Sequence, residues 1–384
     1  CATIRAACVL CVVAAVSAFH SPPRRRPGAM ASHVEKNDVE AIMKGSEAAK
    51  ASDYANYFSS YAFIYHQKQM LSDGARMRAY RDAILGNPEC FAGKVVLDVG
   101  AGSGILSMWA AQAGAKRVIA CEFTKMADHA EALVAANGLQ DVVEVRRSAA
   151  ETLDLKKGDV DVIVSEWMGY FLLRESMLDS VIYARDHYLK DGGALFPNRA
   201  ALFWAPASLH GERDVKLAEK ADAMADWDAF QDATRADFGV DVSVLRAPYV
   251  AEQDDYYLRQ AHWMEMRDDM LAAPPARIGV IDLNTCTLAE SRGIEDAPFR
   301  FPVPLDRCAA FAGWFDTYFE GSPSCPAKNP VTLSTSPADG YTHWGQQVFF
   351  VPPAKVEAAV ADAGGHPRGP SSTVGTISLR RQKE

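Results

Sequence analysis

Residues 94–106 constrain this chain more than any other stretch. Val95, Val96, Leu97 and Val99 form an apolar run interrupted by Asp98. Gly100, Gly102 and Gly104 then alternate with small residues, and a second apolar stretch runs through about Ala113. A short apolar run ended by glycines reads as a buried strand, and the stretch after it as a helix. Glycines at such a turn let backbone approach a ligand with no Cβ in the way. Residues 118–122 read as the next strand, ending in the acid Glu122. A helix over 126–136 is stopped by Asn137 and Gly138. Strands over 142–145 and 160–164 follow, with Glu151 between them. Strand–helix–strand units with short links predict a parallel, doubly wound sheet. A carboxylate after the second strand is placed to take ribose hydroxyls in such folds.

The next strand runs into a loop with a glutamate near each end, Glu166 and Glu175. Two carboxylates on one loop suit one cation. A guanidinium fits well, because it is planar, always charged and offers N–H groups on two edges. From residue 200 the pattern turns to β. Candidate strands over 200–205, 277–283, 299–303, 311–319, 331–334 and 348–351 predict a barrel. A charged, helical interruption at 211–244 carries Trp227, Phe230 and Phe238. Phe196-Pro197 reads as the sharp turn closing the first half.

Composition sets limits. The chain has 384 residues, net charge −9 and pI about 5.6. Acidity argues against direct nucleic-acid binding and agrees with a basic substrate. The scattered cysteines suggest neither a zinc site nor a disulfide framework, and favour a reducing compartment. No metal is expected. The apolar run 9–16 is too short to span a bilayer, so no stable membrane insertion is expected. With the basic, proline-rich 22–27 it has two readings: a plastid-type targeting leader, or translated sequence upstream of a start at Met30. The second reading puts the protein in cytoplasm or nucleus.

The turn at 100–104, following Leu97 and Asp98, resembles the class I S-adenosylmethionine-dependent methyltransferases. The dehydrogenase fingerprint wants glycine where this chain has Ile105. From about residue 52 to 345 the chain resembles the protein arginine methyltransferases. The resemblance rests on the double-glutamate loop, on Tyr57, Phe58 and Tyr61, on Met70, Asp73 and Arg76, and on Thr342, His343 and Trp344.

That resemblance implies S-adenosyl-L-methionine as cofactor, with Tyr61, Gln67, Met70, Arg76, Asp98, Gly100, Gly102, Gly104, Glu122 and Glu151 around it. Glu166, Glu175, His343 and Asp73 would be catalytic. Tyr57, Met168, Met177 and Trp344 would meet an arginine-containing protein substrate. The Thr-His-Trp loop implies type I chemistry, and details such as Leu172 and residues 239–243 look closest to the type I member numbered six. The segments expected are a leader over 1–51, a methyltransferase domain over 52–197 and a β-barrel domain over 198–384. The arm at 211–244 would make a homodimer.

Three departures stand out. Gln67 replaces a usual histidine, Arg174 precedes Glu175 where an aromatic or histidine is usual, and the chain ends where relatives continue for one or two strands. We expect Arg174 to face solvent. A methyltransferase acting on a small basic metabolite and an inactive dimeric scaffold are the competing readings.

Overall fold

The computed structural model describes residues 4–6, 63–356 and 372–381. Tyr57, Tyr61 and most of the leader lie outside these residues. A three-residue strand β1 (Ile4–Ala6) comes first. Helices α1 (Ile64–Ser72), α2 (Gly74–Leu85) and α3 (Pro88–Phe91) lead into the first sheet.

That sheet is parallel. β2 (Val95–Val99), β3 (Arg117–Glu122), β4 (Val143–Arg147), β5 (Val160–Val164) and β6 (Leu189–Phe196) stand in the order β4-β3-β2-β5-β6. Every neighbouring pair runs parallel. β6 has no counterpart in the sequence reading, because glycines and charges at its start mask it. The crossovers include α4 (Ile105–Gln112), α5 (Met126–Ala136) and α6 (Met177–His187). Four of the five β2 residues are buried, as expected of a central strand covered on both faces. Strand order reverses between β2 and β5. The carboxyl ends of those two strands therefore frame a crevice, the usual ligand position in such sheets. The Ser165 hydroxyl fixes this junction by donating to the Val99 carbonyl at 2.7 Å.

The Phe196-Pro197 bond is cis, and β7 (Arg199–Ala207) opens the antiparallel half. An arm follows at once. α7 (His210–Phe238) has 29 residues, about 44 Å at 1.5 Å per residue, and none of them is buried. The arm does not stop at residue 244. It returns through α8 (Arg246–Asp254) and a last helical turn over Asp255–Arg259. Pro248 sits in the first turn of the returning helix, where proline is tolerated. Trp227 stacks on Tyr249 with ring centroids 4.4 Å apart, and Arg246 pairs with Asp228, so the two helices form a hairpin.

The chain then supplies β8 (His262–Met264), β9 (Ala276–Asp282), β10 (Gly293–Phe301), β11 (Ala310–Ser322), β12 (Cys325–Ser334), β13 (Gln346–Phe350) and β14 (Thr373–Arg380). Five of the antiparallel strands follow the order β8-β13-β11-β7-β9, with β12 on β11. β14 pairs antiparallel with β10 and parallel with β1. The main core is one apolar cluster that includes Leu97 and Ile163 from the parallel sheet and Phe315 and Leu333 from the barrel. The two halves are thus packed as one body. No helix among the described residues is long and apolar enough to cross a membrane.

Candidate active site

A cavity of about 340 Å³ opens at the switch point between β2 and β5. Its floor is the glycine turn. Gly100, Gly102 and Gly104 all hold positive φ, between 53° and 77°. A Cβ on Gly100 would sit 2.2 Å from Met177 Cε, and one on Gly102 3.0 Å from Gln67 Oε1. At both positions a side chain would be strained by the positive φ and would have to displace the tip of Met177 or Gln67, so the turn is a cradle with backbone as its surface. Gln67, the residue in place of a usual histidine, is buried and lines this cavity beside Met70 and His66.

The carboxylates are held differently from one another. Glu122 accepts the Gly102 amide at 2.9 Å and the Thr124 amide at 2.8 Å, which ties the end of β3 to the glycine turn. Glu151 accepts the Ser180 hydroxyl at 2.6 Å. Arg76 donates Nε and Nη2 to Glu166 Oε2, at 3.2 and 3.0 Å, and both side chains are nearly enclosed. Glu166 Oε1 takes the Met168 amide at 3.2 Å. Arg76 was expected to serve the cofactor; here it is the partner of a loop glutamate and also lines the cavity.

The loop between the glutamates is tightly folded. Gly169 and Leu172 pair across it, and Phe171 and Leu172 adopt φ of 47° and 68°. Such angles are strained for bulky residues and persist only where surroundings enforce them. The enforcing contacts come from the barrel. Phe171 packs beside Trp204 and Phe349. Its ring rests on β11 where Gly313 has no side chain; a Cβ there would meet Phe171 Cζ at 2.2 Å. Arg381, just after β14, donates to the Glu175 carbonyl at 3.3 Å and to Asp179 at 2.6 Å.

The barrel also supplies His343 and Trp344. Trp344 Nε1 donates to the Met168 carbonyl at 2.8 Å. His343 Nδ1 and the His343 amide both meet Asp73 Oδ2, at 2.7 and 2.8 Å. Burial alone would push the Asp73 carboxyl up, but hydrogen bonds from the His343 ring and from the Arg76 and His343 amides hold it below its ordinary value.

Two expected cofactor residues do not line the cavity. Asp98 is fully buried behind the turn, where Ser107 donates to its Oδ2 at 2.7 Å. Its Oδ1 has no protein partner, and burial pushes its pKa up to about 7. Gly104 caps α4 in a left-handed conformation and faces Ala130 of α5 instead. In both cases chain adjacency was mistaken for exposure to the crevice. Asp73 does not line the cavity and acts on it through His343 and through the Arg76 amide that it accepts. Tyr170, Phe123 and Ser180 line it without having been singled out. Arg174 stacks its guanidinium over the Tyr170 ring, 5.3 Å from the centroid, and is half-buried rather than directed wholly to solvent. Among the described residues no cluster of His, Cys, Asp and Glu could hold a metal.

Residues 211–362 match the arginine methyltransferase oligomerization subdomain, and 96–193 match a methyltransferase domain. Protein arginine N-methyltransferase PRMT10 of Oryza sativa subsp. japonica is 48% identical over 311 residues, covering 80% of this chain and 81% of that protein.

The chain belongs to the protein arginine N-methyltransferase family.

The Arabidopsis thaliana protein arginine methyltransferase 10 structure, solved in a uniquely open conformation, is 45% identical with a TM-score of 0.73. It covers 77% of this chain and 84% of its own. The Trypanosoma brucei PRMT1 enzyme-prozyme complex with AdoHcy aligns at 29% identity and TM-score 0.62, covering 76% of this chain and 83% of that one. Resemblance to member six was overdrawn: protein arginine N-methyltransferase 6 of Danio rerio is 37% identical, below the PRMT10 proteins. This arginine methyltransferase uses S-adenosylmethionine. The residues present fit that cofactor: a side-chain-free cradle needs no phosphate, and Glu122 and Glu151 offer acceptors for hydroxyl and amino groups.

Proposed function

We propose that this arginine methyltransferase is of type I, converting arginine in proteins to monomethyl and then asymmetric dimethylarginine. The observation that carries the reading is convergence. Glu166, Glu175 and His343 line one cavity with the glycine cradle, although they come from two different halves of the chain. A methyltransferase for a small metabolite has no need of both glutamates and a histidine pinned by a buried aspartate.

When bound, S-adenosylmethionine supplies an electrophilic methyl group. Glu122 and Glu151 would hold its ribose and adenine ends, and Gln67 and Met70 would close over it. Arginine arrives protonated, since its pKa exceeds about 12, and its nitrogens are poor nucleophiles. Glu166 and Glu175 would grip two edges of the guanidinium and draw positive charge toward themselves. The third nitrogen becomes richer in electrons. This is positioning with electrostatic preorganisation. Arg76 would orient Glu166. His343 Nδ1 is committed to Asp73, so Nε2 is left to accept the proton that leaves the methylated nitrogen. Met70 and Met177 would narrow the pocket and so choose the nitrogen that takes the second methyl.

The arm carries exposed Phe230, Phe238, Val244 and Leu245. Exposed apolar groups on a projecting hairpin support a homodimer in which each arm covers the other subunit. The test of type is mass spectrometry of a glycine-arginine-rich peptide after reaction. Asymmetric dimethylarginine is expected; symmetric dimethylarginine as the main product would overturn the assignment.

A further inference from the structure

Outside the lining of the cavity, the two halves meet at a second contact. β12 lies against the turn between α2 and α3. The Asn87 amide bonds both ways with the Asn329 backbone: Nδ2 donates to its carbonyl at 2.9 Å, and its amide donates to Asn87 Oδ1 at 2.7 Å. Asn329 Nδ2 donates in turn to the Gly86 carbonyl at 2.7 Å. The Lys328 amide meets Glu89 Oε1 at 3.3 Å. Backbone on both sides is therefore fixed before any cysteine is considered.

Within this clamp, Cys90 on α3 and Cys325 at the start of β12 bring their sulfurs to 3.0 Å. Cys90 also points its thiol at the Cys325 carbonyl, 3.6 Å away. Cys90 is fully buried and Cys325 is partly exposed. Neither lines the cavity. A disulfide needs the sulfurs at about 2.0 Å, so only about 1 Å of side-chain motion separates the pair from a bond.

We propose that Cys90 and Cys325 are an oxidation site, a thiol pair that hydrogen peroxide converts to a disulfide joining the nucleotide half to the barrel. Cys325, the part-exposed sulfur, reacts first. Its thiolate attacks the peroxide oxygen, giving a sulfenic acid and releasing one water. Cys90 sulfur then displaces the hydroxyl from Cys325 sulfur. The S–S bond forms and the Cys90 proton leaves with the hydroxyl as a second water; the peroxide took the two electrons in the first step. Burial and the neighbouring Cys325 push the Cys90 thiol up to about 12. The second step is therefore slow near neutrality and quickens with rising pH, while proximity favours it over attack by an external thiol. The bond would close a loop between residues 235 apart. A long loop loses much of its freedom when unfolded, so the cross-link raises stability.

The test uses the full chain. Protein treated with hydrogen peroxide is alkylated, digested without reductant and examined by mass spectrometry. A peptide pair joined through Cys90 and Cys325, lighter by two hydrogens and separated by dithiothreitol, is expected. The thermal midpoint of the oxidised protein should rise by several degrees, with methyl transfer to peptide unchanged within about twofold. Cys325→Ser should abolish both the linked peptide and the shift. Cys90→Ala serves as the second variant, and in it Cys325 should advance to sulfinic acid. Oxidation of Cys325 in the wild type without the linked peptide would overturn the proposal. So would a link between other cysteines, or an equal midpoint shift in Cys325→Ser.

Discussion

At the scale of single residues, the heaviest demand falls on Glu166 and Glu175. Glu166→Gln keeps the shape and the Met168 amide bond but loses the charge. Glu175→Gln does the same on the other side of the loop. Each variant should bind S-adenosylmethionine normally by calorimetry and turn over about 10²–10³ times more slowly. Near-normal turnover in either would remove the two-carboxylate mechanism. Asp98 makes a separate prediction about pH. Its carboxyl is raised by burial from an ordinary 3.8 to about 7. The folded chain thus retains a proton that the unfolded chain releases. The stability from this group is complete below about pH 3.8, falls as pH rises, and levels off above about pH 7. Asp98→Asn should flatten that slope when urea midpoints are compared at about pH 5 and about pH 8; an unchanged slope would count against it. The residues that were legible in the sequence share one property: their partners are close in the chain or belong to a compact motif. The glycine turn, the two glutamates and His343 with Trp344 are of this kind. Arg381 on the Glu175 carbonyl and Cys90 against Cys325 depend on strand register over long separations, which no local pattern encodes.

At the scale of elements, the double-glutamate loop is the part under strain, and β11 is what restrains it. Phe171 occupies the space left by Gly313, so strand and loop share one contact. Gly313→Ala should force the ring away. Overpacking of this sort costs about 1–3 kcal/mol and should also lower kcat. Phe171→Leu in the same chain should recover part of the stability. Additive effects in the double variant would show that the two sites are uncoupled. The alternation of strands and helices, and with it the parallel sheet, was readable from periodicity, because buried strands and capped helices declare themselves locally. β6 and the length of the arm were not. The first is disguised by Asp191, Gly192 and Gly193, and the second was set at residue 244 although the returning helix Arg246–Asp254 follows at once.

At the scale of the molecule, the arm is the least self-sufficient part. α7 buries no residue of its own and presents several large apolar groups to its surroundings. Replacing residues 213–256 by a short glycine linker should yield a monomer by light scattering, with weakened cofactor affinity by calorimetry. A deletion that remains dimeric would remove the arm from the assembly; a monomer with full affinity would separate assembly from cofactor binding. The packing of Phe171 on Gly313 also bears on how such a chain can be recombined. The loop belongs to one half and the strand to the other, and the contact spans 142 positions (313 − 171). A hybrid that joins this nucleotide-binding half to another protein's barrel inherits the ring without the gap that receives it, unless that barrel has glycine at the same register. The two halves therefore carry a matching requirement, and the loop that grips the substrate is the place where a mismatched pair would first fail.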